Sequence, residues 1–318
     1  MQRKHFGLAL VDLLAVAALS AVLLAIGVPT LSRARELSQR MTCSVNLAGI
    51  GASGSIYAAA NKGSWMIPPF KRSLIDSGGI DYLAGYMVSP IGSEQPGEVG
   101  FERGRESKSE TPTSPSAGST ALSTTRAFWM LVRSGDISVK QFICPSALND
   151  APDPTENIDL YYDFTQYWNI SYGYLVPFGP RDTQPREGMD NRQVLAADKS
   201  PYYLSFLVPT WITAEGTPIT LYSPPRDWQQ YNSRNHGGWF GEGQNALYAD
   251  GHASFLRTPL GGMDNDNIYT VMTDEWGPLP DNRIHGDSPH QAPDENPYPG
   301  QGALGVPKYS STDSLIYP

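Results

Sequence analysis

The longest apolar pattern in the chain lies close to its N-terminus. Residues 8–28 read LALVDLLAVAALSAVLLAIGV, and only Asp12 and Ser20 interrupt the run with strongly polar side chains. As a helix this run is about 30 Å long, which matches the hydrocarbon core of a bilayer. The pattern therefore predicts a helix that spans a membrane.

A second apolar pattern follows directly and predicts an amphipathic continuation of the same helix over residues 29–62. Its apolar residues recur at steps of three and four, which places them on one helix face. They are Leu31, Ala34, Leu37, Met41, Val45 and Ala48. The whole helix is expected to run from about residue 8 to residue 61, with Pro29 kinking or locally melting it. We expect the part from residue 36 onward to pack on its own domain and the first half to contact other molecules.

Residues 63–276 have the patterns of a β-rich head. The segment LYADGHASFLRT, residues 247–258, reads as two strands joined at Asp250-Gly251, a dipeptide suited to a type I′ turn. Tyr-rich and Trp-rich segments broken by Pro and Gly also favour antiparallel strands. The expected fold class is α+β: a long N-terminal helix packed on an antiparallel sheet with irregular insertions.

Two segments lack such patterns. Residues 93–125 are rich in Ser, Thr, Gly, Pro and charge, which predicts a disordered insertion in the head. Residues 277–318 contain eight prolines and predict an irregular tail, although its final apolar residues Leu315, Ile316 and Tyr317 are able to dock locally.

Charge is divided unevenly along the chain. Residues 1–63 hold six of the 23 basic residues and two of the 32 acidic ones, so the rest of the chain carries a net charge of −13. A body this acidic disfavours a nucleic acid partner, because phosphate binding needs a basic face. Arg3 and Lys4 precede the apolar run, which predicts a cytoplasmic N-terminus and a head on the other side of the membrane.

The chain has two cysteines, Cys43 and Cys144. A bridge between them would close a loop of about 100 residues and contribute roughly 4 kcal/mol in the chain-entropy model. Two free buried thiols are the alternative, and the sequence leaves both open.

The N-terminal residues GLALVD resemble the signature of type IV prepilins and type II secretion pseudopilins, in which a short basic leader ends in Gly and an acid follows the cut by five residues. The resemblance implies a leader of residues 1–7, cleavage between Gly7 and Leu8 by a prepilin peptidase, and N-methylation of Leu8. Asp12 then neutralises the new amino group, and Pro29 stands where pilins commonly have a proline. This sequence departs from the signature at Leu8, usually Phe, Ala9, usually Thr, and Asp12, usually Glu.

An ordinary secretory signal peptide is the plainer alternative, with a cut near Ala25 or Gly27. Asp12 argues against it, because an acid inside an apolar helix costs about 2.5–3.5 kcal/mol on insertion scales.

Further motifs resemble a group of prepilin-like proteins, abundant in planctomycetes and their relatives, that is named for a C-terminal motif of His, nine residues and Asp-Gly. The matching segments are CSVNL at residue 43, CPS at 144, SYGY at 171 and VLAAD at 194. Here thirteen residues lie between His236 and the pair Asp250-Gly251 instead of nine, and we place the enlargement within residues 237–243.

Two sets of residues are candidate metal ligands. His236, Asp250 and His252 offer imidazole and carboxylate ligands, but an aspartate that bonds its own turn is the commoner interpretation. Asp264, Asp266 and Asp274 are calcium candidates, as in the acidic loops of pseudopilins, although the spacing is not that of an EF-hand and a solvated acidic loop is favoured. We therefore expect no cofactor.

Together these features predict a structural subunit without enzymatic activity, since no Gly-x-Ser-x-Gly elbow occurs in the sequence. Its expected partners are the prepilin peptidase, other pilin-like subunits and an inner-membrane assembly platform. The expected location is the inner membrane, with the head in the periplasm, and then a filament at the cell surface. The alternative is an exported binding protein or enzyme that uses the helix only as an anchor.

Overall fold

The computed structural model describes residues 10–68, 87–88, 121–122, 124–154, 158, 163–164, 167–177, 182–202, 210–213, 215–238, 240–272, 281–286 and 311–317. The processing residues Gly7 and Leu8, most of the segment 93–125 and the calcium candidate Asp274 lie outside these ranges.

Helix α1 (Leu10–Ala60) is one continuous α-helix and confirms the predicted long N-terminal helix. It continues through Pro29, so the predicted local melting does not occur. The hydroxyls of the next turn bond carbonyl oxygens around the proline: Thr30 donates to Ile26 and Gly27, and Ser32 donates to Val28, at 2.8–3.0 Å. Ser and Thr commonly make such bonds to the carbonyls three and four residues earlier in a helix.

The head is built on an antiparallel sheet of five strands. The strands are β3 (Tyr172–Leu175), β4 (Val194–Asp198), β5 (Gln244–Tyr248), β6 (Ala253–Leu256) and β7 (Ile316–Tyr317), with β1 (Met87–Val88) and β2 (Ala121–Leu122) forming a separate parallel pair. The order across the sheet is β6-β5-β4-β3-β7, and every neighbouring pair is antiparallel. The fold is therefore α+β, as the sequence predicts.

The hairpin of β5 and β6 confirms the expected pairing around Asp250-Gly251 but has a different turn. The backbone N–H of Gly251 donates to the carbonyl oxygen of Tyr248, and the N–H of Tyr248 donates to the carbonyl oxygen of His252, both at 2.9 Å. These bonds enclose a three-residue loop. Gly251 has φ 87°, whereas Asp250 is not among the residues with positive φ. A type I′ turn needs positive φ at both centres, so this is instead a type I turn followed by a left-handed glycine.

The face of α1 that packs on the sheet is not the predicted stripe. Leu31, Met41 and Val45 are 69–72% exposed, whereas a different face is buried against the sheet. That face consists of Cys43, Leu47, Ile50, Gly51, Ser53, Gly54 and Ala58. Small residues let the helix approach closely, because a Cβ built on Gly51 would lie 2.8 Å from a methyl carbon of Leu247 on β5.

Helix α2 (Thr125–Ser134) closes the other part of the core with an aromatic cluster. Phe128 packs 5.2 Å from the ring of Phe142 and 5.1 Å from that of Tyr174 on β3. Thr124 and Thr125 are buried at its start, so the predicted disordered segment extends at least two residues too far. Short 3-10 turns lie at Val139–Phe142, Tyr167–Asn169, Gln229–Tyr231 and Met263–Asn265.

Two short pieces of the predicted tail, residues 281–286 and 311–317, are among the described residues. Helix α3 (Asp281–Ile284) and strand β7 lie within the predicted tail, and β7 pairs with β3 at the edge of the sheet. Leu315, Ile316 and Tyr317 are buried, which confirms that these apolar residues dock.

Candidate functional site

Five side chains from distant parts of the chain meet where α1 crosses the sheet. We call them the junction cluster: Glu36 and Cys43 from α1, Cys144 from the loop before β3, Asp198 at the end of β4, and His236 from the loop before β5. All but Glu36 are completely buried. The cluster is therefore an enclosed polar site between the helix and the head.

His236 lies at the centre of the junction cluster. Its Nδ1 is 2.8 Å from Oε1 of Glu36, a residue 200 positions away in the sequence. Its Nε2 is 3.3 Å from Oδ2 of Asp198 and 3.0 Å from the side-chain amide nitrogen of Asn245. Nε2 thus has an acceptor nearby when it carries a proton and a donor nearby when it does not.

The backbone around His236 explains how the ring reaches this position. His236 and Gly243 form an isolated antiparallel β-bridge, so the residues between them form a loop whose two ends are adjacent. Gly243 has φ 142°, and a Cβ there would lie 2.0 Å from the carbonyl oxygen of Leu256, so only glycine fits.

The Asp198 carboxylate is fixed by hydrogen bonds from neighbouring amides. Oδ1 accepts from the Asn235 side chain at 2.9 Å, and Oδ2 accepts from the Asn245 backbone N–H at 2.6 Å. A buried charge requires such partners, since an unpaired one would cost several kcal/mol.

Cys43 and Cys144 form a disulfide, with their Cα atoms 5.2 Å apart. The bridge ties α1 to the head, and Sγ of Cys144 lies 3.7 Å from Nε2 of His236. One turn further along α1, the side chain of Asn46 donates to the carbonyl oxygen of Ile143 at 3.1 Å. The helix is thus held by a covalent bond and by hydrogen bonds at the same place.

Glu36 forms the outer side of the junction cluster. It accepts hydrogen bonds from Ser146 at 3.0 Å and from Nε of Arg40 at 3.2 Å. Arg40 also pairs with Glu242 and lies 4.4 Å from the ring centre of Phe255. Glu36 and Arg40 line an open groove of about 530 Å³ that runs along α1 to Pro29.

The charges in the cluster shift the pKa values of its members. Burial lowers the pKa of His236, but the charge and hydrogen bond of Asp198, followed by those of Glu36, outweigh burial and raise that pKa above its ordinary value. Burial raises the pKa of Glu36, but hydrogen bonds from His236, Ser146 and Arg40 outweigh it and hold that pKa below the ordinary value. Both shifts favour an ion pair between the helix and the head.

The structure does not bring together the predicted set of His236, Asp250 and His252. Asp250 lies on the exposed turn of the hairpin, where its Oδ1 is 2.5 Å from Nδ1 of His252 and accepts from the His252 backbone N–H at 3.1 Å. The His252 ring stacks on Tyr248 at 4.3 Å. Asp250 therefore has the turn role that the sequence favoured, and Asp198 takes the position beside His236.

The calcium candidates inside the described ranges face different partners. Asp264 is exposed and pairs with Arg192 at 3.2 Å. Asp266 is fully buried and accepts from the backbone N–H of Ser314 at 2.7 Å. Burial and the nearby Asp313 raise the pKa of Asp266 well above its ordinary value. A solvated acidic loop is thus wrong for Asp266, which ties the C-terminal strand to the head.

Sequence reasoning missed Glu36, because a partner 200 positions away leaves no local pattern. It also missed Asn235 and Asn245, whose partner Asp198 is 37 and 47 positions away. The sequence motifs at residues 43, 144, 194 and 236 did point to part of the cluster. Cys43, Cys144, Asp198 and His236 each belong to one of those motifs, and the structure brings the four together.

Comparisons with protein-family models, with curated proteins and with solved structures give no match to this chain. Among the described residues, the geometry shows one helix that is long and apolar enough to cross a membrane. A polar junction cluster holds the same helix to a folded head.

Proposed function

We propose that this chain is a pilin-like structural subunit, processed after Gly7 and assembled through α1 into a type IV pilus-like or type II secretion filament. The observation that carries the proposal is the surface of α1. Between Leu10 and Val28 every large hydrophobic side chain is 57–74% exposed. Burying these eleven side chains is worth about 15–30 kcal/mol, so this half of the helix needs lipid or other helices around it.

The second support is the firm attachment of the rest of α1. A helix that served only as an anchor needs no fixed orientation relative to its head, whereas a filament subunit transmits its axial position from the helix to the head. The disulfide and the ion pair of Glu36 with His236 fix that orientation here. The exposed stripe of Leu31, Met41 and Val45 adds apolar contact surface beyond the membrane segment.

In this proposal Asp12 and the amino group of Leu8 form the pair that sets the step between subunits. A carboxylate among packed apolar helices is costly unless a cation meets it, and the amine released by cleavage is such a cation. The partners are then the prepilin peptidase, an inner-membrane assembly platform and further pilin-like subunits, with the head outside the cytoplasm.

The mature N-terminus tests this function. The full chain, expressed in a bacterium that has a prepilin peptidase, is isolated from membranes and its N-terminal peptide is identified by mass spectrometry. We expect the mature chain to begin at Leu8 and the Gly7→Leu variant to keep residues 1–7. Gly27→Leu is the matched control and is processed normally, because its Cβ has open space around it. A wild-type chain that keeps its first seven residues, or begins near Val28, contradicts the proposal and favours an anchored or secreted protein.

A further inference from the structure

The buried part of the junction cluster has the composition of a metal site. Cys43, Cys144, Asp198 and His236 each offer one ligand atom, and these four atoms all lie within 4.8 Å of one another. Two thiolates, an imidazole and a carboxylate are ligands that Zn²⁺ accepts in tetrahedral sites. We propose that, once the disulfide is reduced, these four residues bind one Zn²⁺ ion.

The distances on the His236 side already fit such a site. In a tetrahedral zinc site with bond lengths of about 2.0–2.3 Å, neighbouring ligand atoms are about 3.3–3.8 Å apart. Nε2 of His236 is 3.7 Å from Sγ of Cys144 and 3.3 Å from Oδ2 of Asp198. The two sulfur atoms must separate to about 3.8 Å, for which the Cα spacing of 5.2 Å leaves room. The other pairs of ligand atoms lie within 4.8 Å of one another and need only small shifts.

The residues around the four ligands have the arrangement that supports metal-binding side chains. A histidine that binds a metal through one nitrogen commonly donates its other N–H to a carboxylate, which fixes the ring. Glu36 holds Nδ1 of His236 in this way at 2.8 Å and leaves Nε2 directed at the sulfur and at Asp198. Asn235 holds the other oxygen of Asp198 at 2.9 Å.

Zn²⁺ would offset part of the negative charge of the reduced cluster. Zn²⁺ with two thiolates and one carboxylate carries a net charge of −1, and Glu36 adds another negative charge. Arg40, 3.2 Å from Glu36, offsets part of it. Glu36 and Arg40 border the groove along α1, which gives an ion a route to the cluster.

Reduction of the disulfide by a dithiol precedes the binding of zinc. A dithiol transfers two electrons to the bond between Cys43 and Cys144, yields two cysteine thiols and leaves as its own cyclic disulfide. Binding of Zn²⁺ then releases the two thiol protons, and any proton on Nε2 of His236, to solvent. The metal would join the same two segments that the disulfide joins, so α1 stays tied to the head in both redox states.

Zinc binding by the reduced full-length protein in detergent tests the proposal. The protein is reduced with dithiothreitol, desalted without oxygen and titrated with Zn²⁺ against a chromophoric chelator, while Co²⁺ serves as the absorption probe. We expect one tightly bound zinc per chain, and a Co²⁺ spectrum with thiolate charge-transfer bands and tetrahedral d–d bands. The oxidised protein should bind at least 100-fold more weakly. Equal binding by the two forms overturns the site.

Variants separate this site from binding by the cysteines alone. His236→Asn and Asp198→Asn should each weaken zinc binding at least tenfold, and Glu36→Gln should weaken it about 10- to 100-fold through the orientation of the ring. His252→Asn, which removes an exposed histidine beside a carboxylate, should change nothing. Unchanged affinity in His236→Asn means that the cysteines bind without the cluster and contradicts the proposal.

Folding of the reduced chain is followed in parallel by circular dichroism. If the zinc-free reduced protein is less stable, Zn²⁺ should raise its unfolding temperature, because a ligand of the native state stabilises it. The same addition should leave the Cys43→Ser/Cys144→Ser double variant unchanged. A reduced wild-type chain that Zn²⁺ neither stabilises nor refolds also overturns the proposal.

Discussion

The two halves of α1 belong to one helix but differ in what surrounds them. Every residue from 10 to 35 is exposed, and Glu36 is the first that is partly buried. From there to Ala60 the helix presents a narrow face of small and apolar residues to the sheet. The first half has far more apolar surface and none of it is covered, whereas the second half has less and buries it tightly. Hydrophobicity alone therefore does not identify the half that stabilises the fold.

This difference separates the free energy of folding from the free energy of association. The second half contributes to the stability of a single molecule, and the first half contributes to association, in lipid or in a filament. A substitution on the docked face of the second half should change stability alone, and one in the first half should change association alone. The following predictions test that separation, from the largest expected effect to the smallest.

The largest effect is expected from Asp12, which lies in the exposed half. Asp12→Ala should reduce filament assembly at least about tenfold, because an amine left without its carboxylate among apolar helices costs several kcal/mol. Stability of the head should not change. Assembly is measured by sedimentation and electron microscopy of sheared fractions, and Asp12→Glu, which keeps the charge, is the control. Wild-type assembly by Asp12→Ala would remove the reason for an acid in this helix.

The next effect concerns two neighbouring apolar residues in the second half. Leu47 is fully buried and Val45 is 69% exposed. Leu47→Ala should lower the free energy of unfolding by about 2–5 kcal/mol, because it leaves a cavity against the sheet. Val45→Ala should change it by less than about 0.5 kcal/mol. Denaturant unfolding of the full chain in detergent, followed by tryptophan fluorescence, measures both. Similar losses in the two variants would mean that the stripe with Val45 packs on the head after all.

The pair of Leu47 and Val45 also shows why the sequence predicted the helix but not its docked face. Two apolar stripes run along residues 31–60, and the stripe with the larger residues gives the stronger pattern. The sheet instead receives the stripe that contains Gly51, Gly54 and Ala58. Close packing requires small side chains, and small side chains contribute little to a hydropathy pattern. The same signal that predicted the element therefore pointed to the wrong face of it.

The sheet and the junction cluster also differ in how far the sequence predicts them. The β5–β6 hairpin, strand β4 and the pairing of the two cysteines depend on local patterns or on motif residues that the sequence displays. The contact of Glu36 with His236 joins residues 200 positions apart, and Glu36 is not distinctive in its own segment. Sequence reasoning placed His236 with Asp250 because both belong to one motif. The fold placed it with Asp198, because β4 lies beside β5 in the sheet.

The smallest effect is expected at the boundary between the two halves, where Glu36 meets His236. The folded-state pKa of His236 is raised, so the ion pair adds stability that is fully present below the unfolded pKa of about 6.5 and is lost as pH rises through the folded pKa. The difference in unfolding free energy between the oxidised wild type and His236→Asn, measured in the presence of a chelator, should therefore decline as pH rises above about 6.5. The decline amounts to about 1.4 kcal/mol for each unit by which the folded pKa exceeds the unfolded one.

Glu36→Gln tests whether the ion pair with His236 contributes to the attachment of the second half of α1. It removes one of the two carboxylates that raise the pKa of His236 and leaves Asp198 in place. The pH dependence should then shrink but persist, and the loss in stability should be largest at mildly acidic pH, where Glu36 is charged and His236 carries its proton. If Glu36→Gln left the pH profile of the wild type unchanged, the head would stabilise His236 through Asp198 alone. The boundary of the docked half would then lie beyond Glu36, at the disulfide of Cys43.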